Sequence, residues 1–214
     1  MEDLPYSFFL ELPLPNQARH NLYNLQPLKG LIASGYTFLT PNYRLARRIK
    51  SVWDQQQLDE ELIAWLPVRV TPLEAWLKSQ WELAVEQDLL EPHIVIGQGQ
   101  AVELWQSVIQ KHQQLSSQYS LLRPSSAAAI AHDARENLIR WQVDPAAHRQ
   151  EFELNADSET YLAWHSMFDE ELQKRCLITT AQIAQELLPV ADQLPSEPLA
   201  LLDFDDIPPL YLRC

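Results

Sequence analysis

The sequence predicts an α/β fold: a short parallel sheet into which an all-helical subdomain is inserted. Three observations predict it. A short apolar strand, then Thr-Pro, then a long amphipathic helix occurs twice; residues 98–192 carry helical periodicity; and Leu199-Ala200-Leu201-Leu202-Asp203-Phe204 returns to a strand-like apolar run. A strand whose C-terminal end feeds straight into a helix is the building block of an open parallel sheet, where ligands bind beyond the strand C-termini. The expected division is an α/β core of residues 1–97 and 193–214 around a helical insertion at 98–192.

Taken in order, residues 1–35 read as irregular, with prolines at 5, 13, 15 and 27, although Ser7-Phe8-Phe9-Leu10 can pair as a short strand. The first unit, about 36–57, runs from Tyr36-Thr37-Phe38-Leu39-Thr40-Pro41-Asn42 into a helix with Leu45, Ile49, Val52 and Trp53 on one face. The second, about 66–90, runs from Val68-Arg69-Val70-Thr71-Pro72 into a helix with Leu73, Trp76, Leu77, Trp81 and Leu83. In both, Thr is expected to cap the helix and Pro to occupy its first position, where a missing N–H costs no hydrogen bond. Within the insertion, helices are expected over 99–115, from Ser125 or Ser126 to Trp141, from Asp157 through Leu172, and from a Thr179/Gln182 capping box to Pro189. The polar stretch 143–156 reads as a loop between subdomains. The run at 199–204 is long enough for a buried strand and too short for a helix. A strand that ends with no covering helix suggests a fragment of a longer chain.

Composition narrows the function classes. The 214 residues are 46% hydrophobic and 21% charged, ordinary for a globular protein. Two cysteines, Cys176 and Cys214, make no disulfide framework and favour a reduced, cytoplasmic setting. No apolar run approaches the roughly 20 residues that span a bilayer, so no membrane partner is expected. The net charge of −13 opposes autonomous binding of polyanions. Against that trend, Arg44, Arg47, Arg48 and Lys50 put four of the 16 basic residues into seven positions.

Three groups of residues carry possible chemistry. Gly30 to Thr37 has the spacing of a phosphate-cradling GxxxxGK[ST] loop, but Tyr36 stands where the lysine belongs and a strand follows Gly35, so coincidence is the better reading. Asp203, Asp205 and Asp206 after an apolar strand have the residue types that hold Mg²⁺, while without a phosphate cradle such a triplet also reads as a solvated turn. The basic cluster at the start of a helix suits phosphate contact, helped by Thr40 and Asn42; its bland reading is a solubilising face opposite Leu45, Ile49 and Val52. The six histidines show no metal-ligand spacing, and the seven tryptophans fall mostly on apolar helix faces.

In order and spacing, these pieces resemble a known family. Phe38-Leu39-Thr40-Pro41-Asn42-Tyr43-Arg44-Leu45-Ala46-Arg47 resembles the motif Ia region of superfamily I helicases, and Val70-Thr71-Pro72-Leu73-Glu74-Ala75-Trp76-Leu77 the Ib-type segment that follows. Leu201-Leu202-Asp203-Phe204-Asp205-Asp206-Ile207-Pro208-Pro209 is similar to the motif II region. The closest likeness, over about residues 30–214, is to the inactivated helicase-like N-terminal region of AddB-type DNA repair proteins, whose chains end in a PD-(D/E)XK nuclease domain. The resemblance implies a P-loop helicase-like sheet and a non-catalytic scaffold guiding a DNA strand, with Thr40, Asn42, Arg44, Arg47 and Thr71 as DNA contacts and Asp205 and Asp206 at the motif II position. No catalytic residue and no cofactor is implied: motif I is not intact, so ATP turnover is not expected, and any nuclease activity lies beyond residue 214. A protein partner subunit fits the same picture. Two rivals stand beside it: a protein–protein interaction module without nucleic acid, and a degenerate nucleotide binder.

Overall fold

A computed structural model of the chain describes residues 10–11, 25–115, 123–152 and 155–213. The chain divides into two compact units, residues 1–80 with 192–206 and residues 81–191 with 207–214. The unit boundaries fall at 80/81, 191/192 and 206/207, where the sequence reading placed them at 97/98 and 192/193.

The first unit is built on a four-stranded sheet in the order β1 (Leu10–Glu11), β6 (Leu199–Leu201), β2 (Thr37–Thr40), β3 (Arg69–Pro72), with every neighbouring pair parallel. Of the strand expected at residues 7–10, Leu10 pairs with β6, joined by Glu11, and residues 7–9 lie outside the described residues. All four residues of β2 are buried, as suits a central strand of a parallel sheet covered on both faces. Register pairs Phe38 with Val70 on one side and with Ala200 on the other. Over this sheet lies α2 (Tyr43–Asp59), which buries Ala46, Ile49 and Trp53 against Phe38, Val70 and Ala200.

Residues 26–33, expected to be irregular, instead form a 3-10 turn at Gln26–Leu28 and α1 (Lys29–Ala33). The glycine spacing read above ends this helix. The Gly35 N–H donates to the Ile32 carbonyl at 3.0 Å and the Tyr36 N–H to the Leu31 carbonyl at 3.1 Å, with Gly35 at φ +78°. This is the Schellman closure that glycine favours, and no helix N-terminus follows to cradle a phosphate. With four glycines in the chain, other helices end the same way on residues with a Cβ. Glu61 (φ 58°), Asp88 (φ 58°) and Gln142 (φ 56°) each occupy the left-handed position with the same pair of closing bonds.

The Thr-Pro steps also differ from expectation. Thr40 does not cap α2: Asn42 does, its Oδ1 accepting the Leu45 N–H at 2.9 Å, while the Thr40 hydroxyl donates to the Asn42 carbonyl at 3.1 Å. Pro41 therefore precedes the cap. Pro72 is the last residue of β3, and α3 (Leu73–Glu86) starts immediately after it.

The second unit holds a second parallel pair, β4 (Ile94–Ile96) with β5 (Leu177–Thr179); β5 lies inside the span expected to be wholly helical and β4 just before it. Around it are α4 (Gln98–Leu115), α5 (Pro124–Arg140), the short α6 (Arg149–Phe152), α7 (Ala156–Lys174) and α8 (Thr180–Leu187). Two caps moved. Pro124 opens α5 after Arg123, so neither Ser125 nor Ser126 caps it, and Asn155 rather than Asp157 caps α7. The Thr179/Gln182 capping box is present. The core centres on Trp105, stacked on Phe168 at 4.1 Å between ring centroids and 9° between planes.

Buried among these helices is a polar knot. Thr179 Oγ1 donates to Glu136 Oε1 at 2.6 Å, the Ala181 N–H donates to Glu136 Oε2 at 3.1 Å, and Arg135 Nη1 donates to Thr179 Oγ1 at 3.2 Å. Arg135 Nε donates to Asp169 Oδ1 at 3.0 Å, and its guanidinium carbon lies 5.3 Å over the Phe168 ring. Arg135 and Glu136 are buried, and removing one partner strands the rest without water.

Two outcomes follow from this architecture. Glu136→Ala should lower the unfolding free energy by about 3–5 kcal/mol, read from urea titration by circular dichroism, and a loss below about 1 kcal/mol would mean the knot is solvated. Glu61→Gly should raise it by about 0.5–1 kcal/mol, because Glu61 is exposed and its left-handed backbone is the conformation glycine adopts without cost.

Candidate functional site

The first unit carries a cleft of about 1260 Å³ beyond the C-terminal ends of the neighbouring strands β2 and β6. One wall is the start of α2, and the other is the turn that leaves β6. This is the edge of an open parallel sheet where ligands are bound. The register of Leu39 with Leu201 brings the two chain segments to the same edge.

The α2 wall presents Asn42, Tyr43, Arg44, Arg47 and Arg48. Their placement follows from helical geometry. Ala46, Ile49 and Trp53 take the inward stripe, which leaves 44, 47 and 48 on the exposed side. Asn42 spends its carboxamide oxygen on the cap, and its side-chain NH₂ is the group left for a ligand. Tyr43 is 63% exposed beside the arginines. Lys50, fourth member of the basic cluster, is exposed and does not line the cleft.

The opposite wall presents Asp203, Phe204, Asp205 and Asp206. Asp203 takes a left-handed backbone (φ 59°), a conformation that Asp tolerates better than most residues. All three carboxylates are exposed. The cleft thus sets three guanidinium groups and three carboxylates on its walls, with formal charges that cancel. Among the described residues, no group of three or more His, Cys, Asp or Glu side chains is placed to hold a metal ion.

Of the residues read from the sequence, Asn42, Arg44, Arg47, Asp203, Asp205 and Asp206 come together here. Thr40 does not face the cleft. It is fully buried, and its hydroxyl donates to the Asn42 carbonyl, so it shapes the turn behind the wall. Thr71, on β3, is half-buried and also lies outside the lining. Sequence reasoning missed Tyr43 and Phe204 as cleft residues. The signal was available in their adjacency to the basic and acidic runs.

A separate polar clamp fixes the start of β2. Glu197 accepts the Thr37 hydroxyl through Oε2 at 2.8 Å and the Trp76 indole N–H through Oε1 at 2.9 Å. One carboxylate therefore ties β2, α3 and the segment before β6 together, at the end of the sheet away from the cleft.

Among the described residues, no helix is long and apolar enough to cross a membrane. No protein-family model matches the chain, and no curated protein matches it.

Proposed function

We propose that the first unit is a helicase-like core whose C-terminal sheet edge guides a DNA strand, in a non-catalytic scaffold of an AddB-type repair or recombination nuclease. On this reading the sheet is of the P-loop helicase type and residues 81–191 are its insertion. Cleavage belongs to a nuclease domain elsewhere in the assembly, and a partner subunit completes it. What supports the reading is one observation: the arginines at the start of α2 and the acidic turn after β6, far apart in sequence, line one cleft beyond adjacent parallel strands. Arg44 and Arg47 would take phosphates, Asn42 would donate to a phosphate oxygen, and exposed Tyr43 offers a face on which a base stacks. Neither ATP nor Mg²⁺ enters this role, and the Gly30–Gly35 segment is spent on closing α1.

An interaction module that never touches DNA is the second reading, and a different surface favours it. Ile63 is wholly exposed, and its neighbours Leu62 and Leu66 are 42% and 67% exposed, an apolar cluster of the kind that partners cover.

Fluorescence anisotropy of a labelled single-stranded oligonucleotide separates the two. Binding at low salt is expected, with Arg44→Ala plus Arg47→Ala lowering the steepness of the log–log salt dependence by about 0.7 for each phosphate no longer neutralised. Asn42→Asp should weaken binding while leaving the melting temperature nearly unchanged, since Asp caps a helix as well as Asn. No binding to the parent chain at low salt overturns the DNA reading and leaves the interaction module.

A further inference from the structure

The second unit contains a cavity of about 820 Å³ with walls of two kinds. Leu138, Ile139, Leu172 and Leu177 supply hydrocarbon, whereas Asp144 and Glu186 present carboxylates and Gln173 and Gln185 present amides. Arg135, the cation on this wall, is already committed. Its Nε and Nη2 reach Asp169 Oδ1 at 3.0 and 2.8 Å, and its Nη1 donates to Thr179. The second Asp169 oxygen lies 3.3 Å from His165 Nδ1 and so orients the imidazole. A neutral imidazole whose Nδ1 faces a carboxylate keeps its proton there and offers Nε2 as an acceptor. Burial pushes the His165 imidazole below its ordinary value, outweighing the pull of Asp169, so the ring is neutral near pH 7. His93 Nδ1, shielded from solvent and without a hydrogen-bond partner, lies 3.7 Å from Glu186 Oε2.

The balance decides what fits. Asp144, Asp169 and Glu186 carry three formal negative charges against the single positive charge of Arg135, a surplus of two carboxylates among the acidic and basic side chains of the lining. An anion would meet surplus carboxylates and a guanidinium already engaged. An apolar molecule would cover the acceptors without pairing them, at the cost of their desolvation. A chain of methylenes ending in a cation satisfies both walls at once.

We infer that this cavity binds an aliphatic amine, an alkylammonium or alkylguanidinium group whose methylenes lie along Leu138, Leu172 and Leu177 and whose cation is held by Glu186 and Asp144. The group is either a free polyamine or a lysine or arginine side chain of a protein. The site is independent of the DNA cleft, since every residue in it belongs to the second unit.

Isothermal titration calorimetry of the full chain tests this with cadaverine, pentanediol as its neutral counterpart, and a peptide carrying one lysine. One-to-one saturable binding of cadaverine or of the peptide is expected, the tighter of the two naming the source, with pentanediol at least tenfold weaker. Glu186→Gln and Asp144→Asn should each weaken binding about tenfold, as the loss of a charged hydrogen-bond partner does. The exposed Glu103→Gln, which removes the same charge outside the cavity, should leave binding unchanged. Equal affinity for pentanediol, absence of saturable heat with either amine, or an equal loss in Glu103→Gln overturns the site, the last by assigning the binding to net charge.

Discussion

The first unit depends on β2 being hydrogen-bonded along both edges by strands that run the same way. Thr37 to Thr40 have no solvent face, so their backbone groups must find partners along β3 and β6 and in the residues that flank them, as the Thr37 N–H does at the Pro198 carbonyl and the Leu39 carbonyl at the Leu202 N–H. The two partners arrive from opposite ends of the sequence: β3 begins at Arg69 and β6 at Leu199. Side chains alternate along a strand, so a slip of one residue would turn Phe38 out of the core and carry the acidic turn away from the arginines. The cleft is thus a consequence of register. Its two walls are remote in sequence, and only the pairing of Leu39 with Leu201 makes them neighbours.

Charge within that cleft bears on how it would handle a polyanion. Three exposed arginines alone would attract phosphate from a distance, but three exposed aspartates on the facing wall cancel that field, and the whole chain carries −13. Attraction therefore acts at hydrogen-bond range, where a guanidinium's planar fork meets phosphate oxygens, more than through long-range steering. Such a surface rewards a strand delivered in the correct position and gives little to one arriving at random. For that reason salt dependence carries more information than affinity about this site.

Much of the first unit was legible because its signals are local. The apolar runs at 36–40, 66–71 and 199–204 marked strands, which form at 37–40, 69–72 and 199–201, and the spacing of Ile49 and Trp53 marked the buried face of α2. What misled were residues with more than one use. Thr40 and Asn42 both have oxygens suited to a cap; burial of Thr40 inside the sheet decided for Asn42, which sequence spacing alone could not reveal. Asn155 won over Asp157 by standing two residues earlier, where the backbone is still extended. The pair β4–β5 was missed because each strand has three residues, and their partnership spans most of the unit. Arg135 and Glu136 fall on the same stripe as Ala128, Ala131 and His132, so the periodicity of α5 placed two charges in the core. Hydropathy alone would have turned them out.

Those two charges connect stability to the cavity beside them. A buried Arg–Glu arrangement is seldom kept for net stability, since well-packed apolar residues of similar volume commonly do as well or better. Here the knot does something hydrocarbon cannot. Glu136 pins the junction of β5 and α8 through Thr179 and the Ala181 N–H, while Arg135 reaches the other way to hold Asp169 on α7. Asp169 in turn fixes the ring of His165 at the cavity wall. One chain of directional bonds therefore sets the spacing of α5, α7 and α8, the three helices that supply much of the polar lining, with His93 and Asp144 contributed from outside them. An all-apolar replacement can preserve the fold and still leave His165 and Asp169 free to rotate, so the geometry of this cavity wall is more sensitive to the knot than folding is.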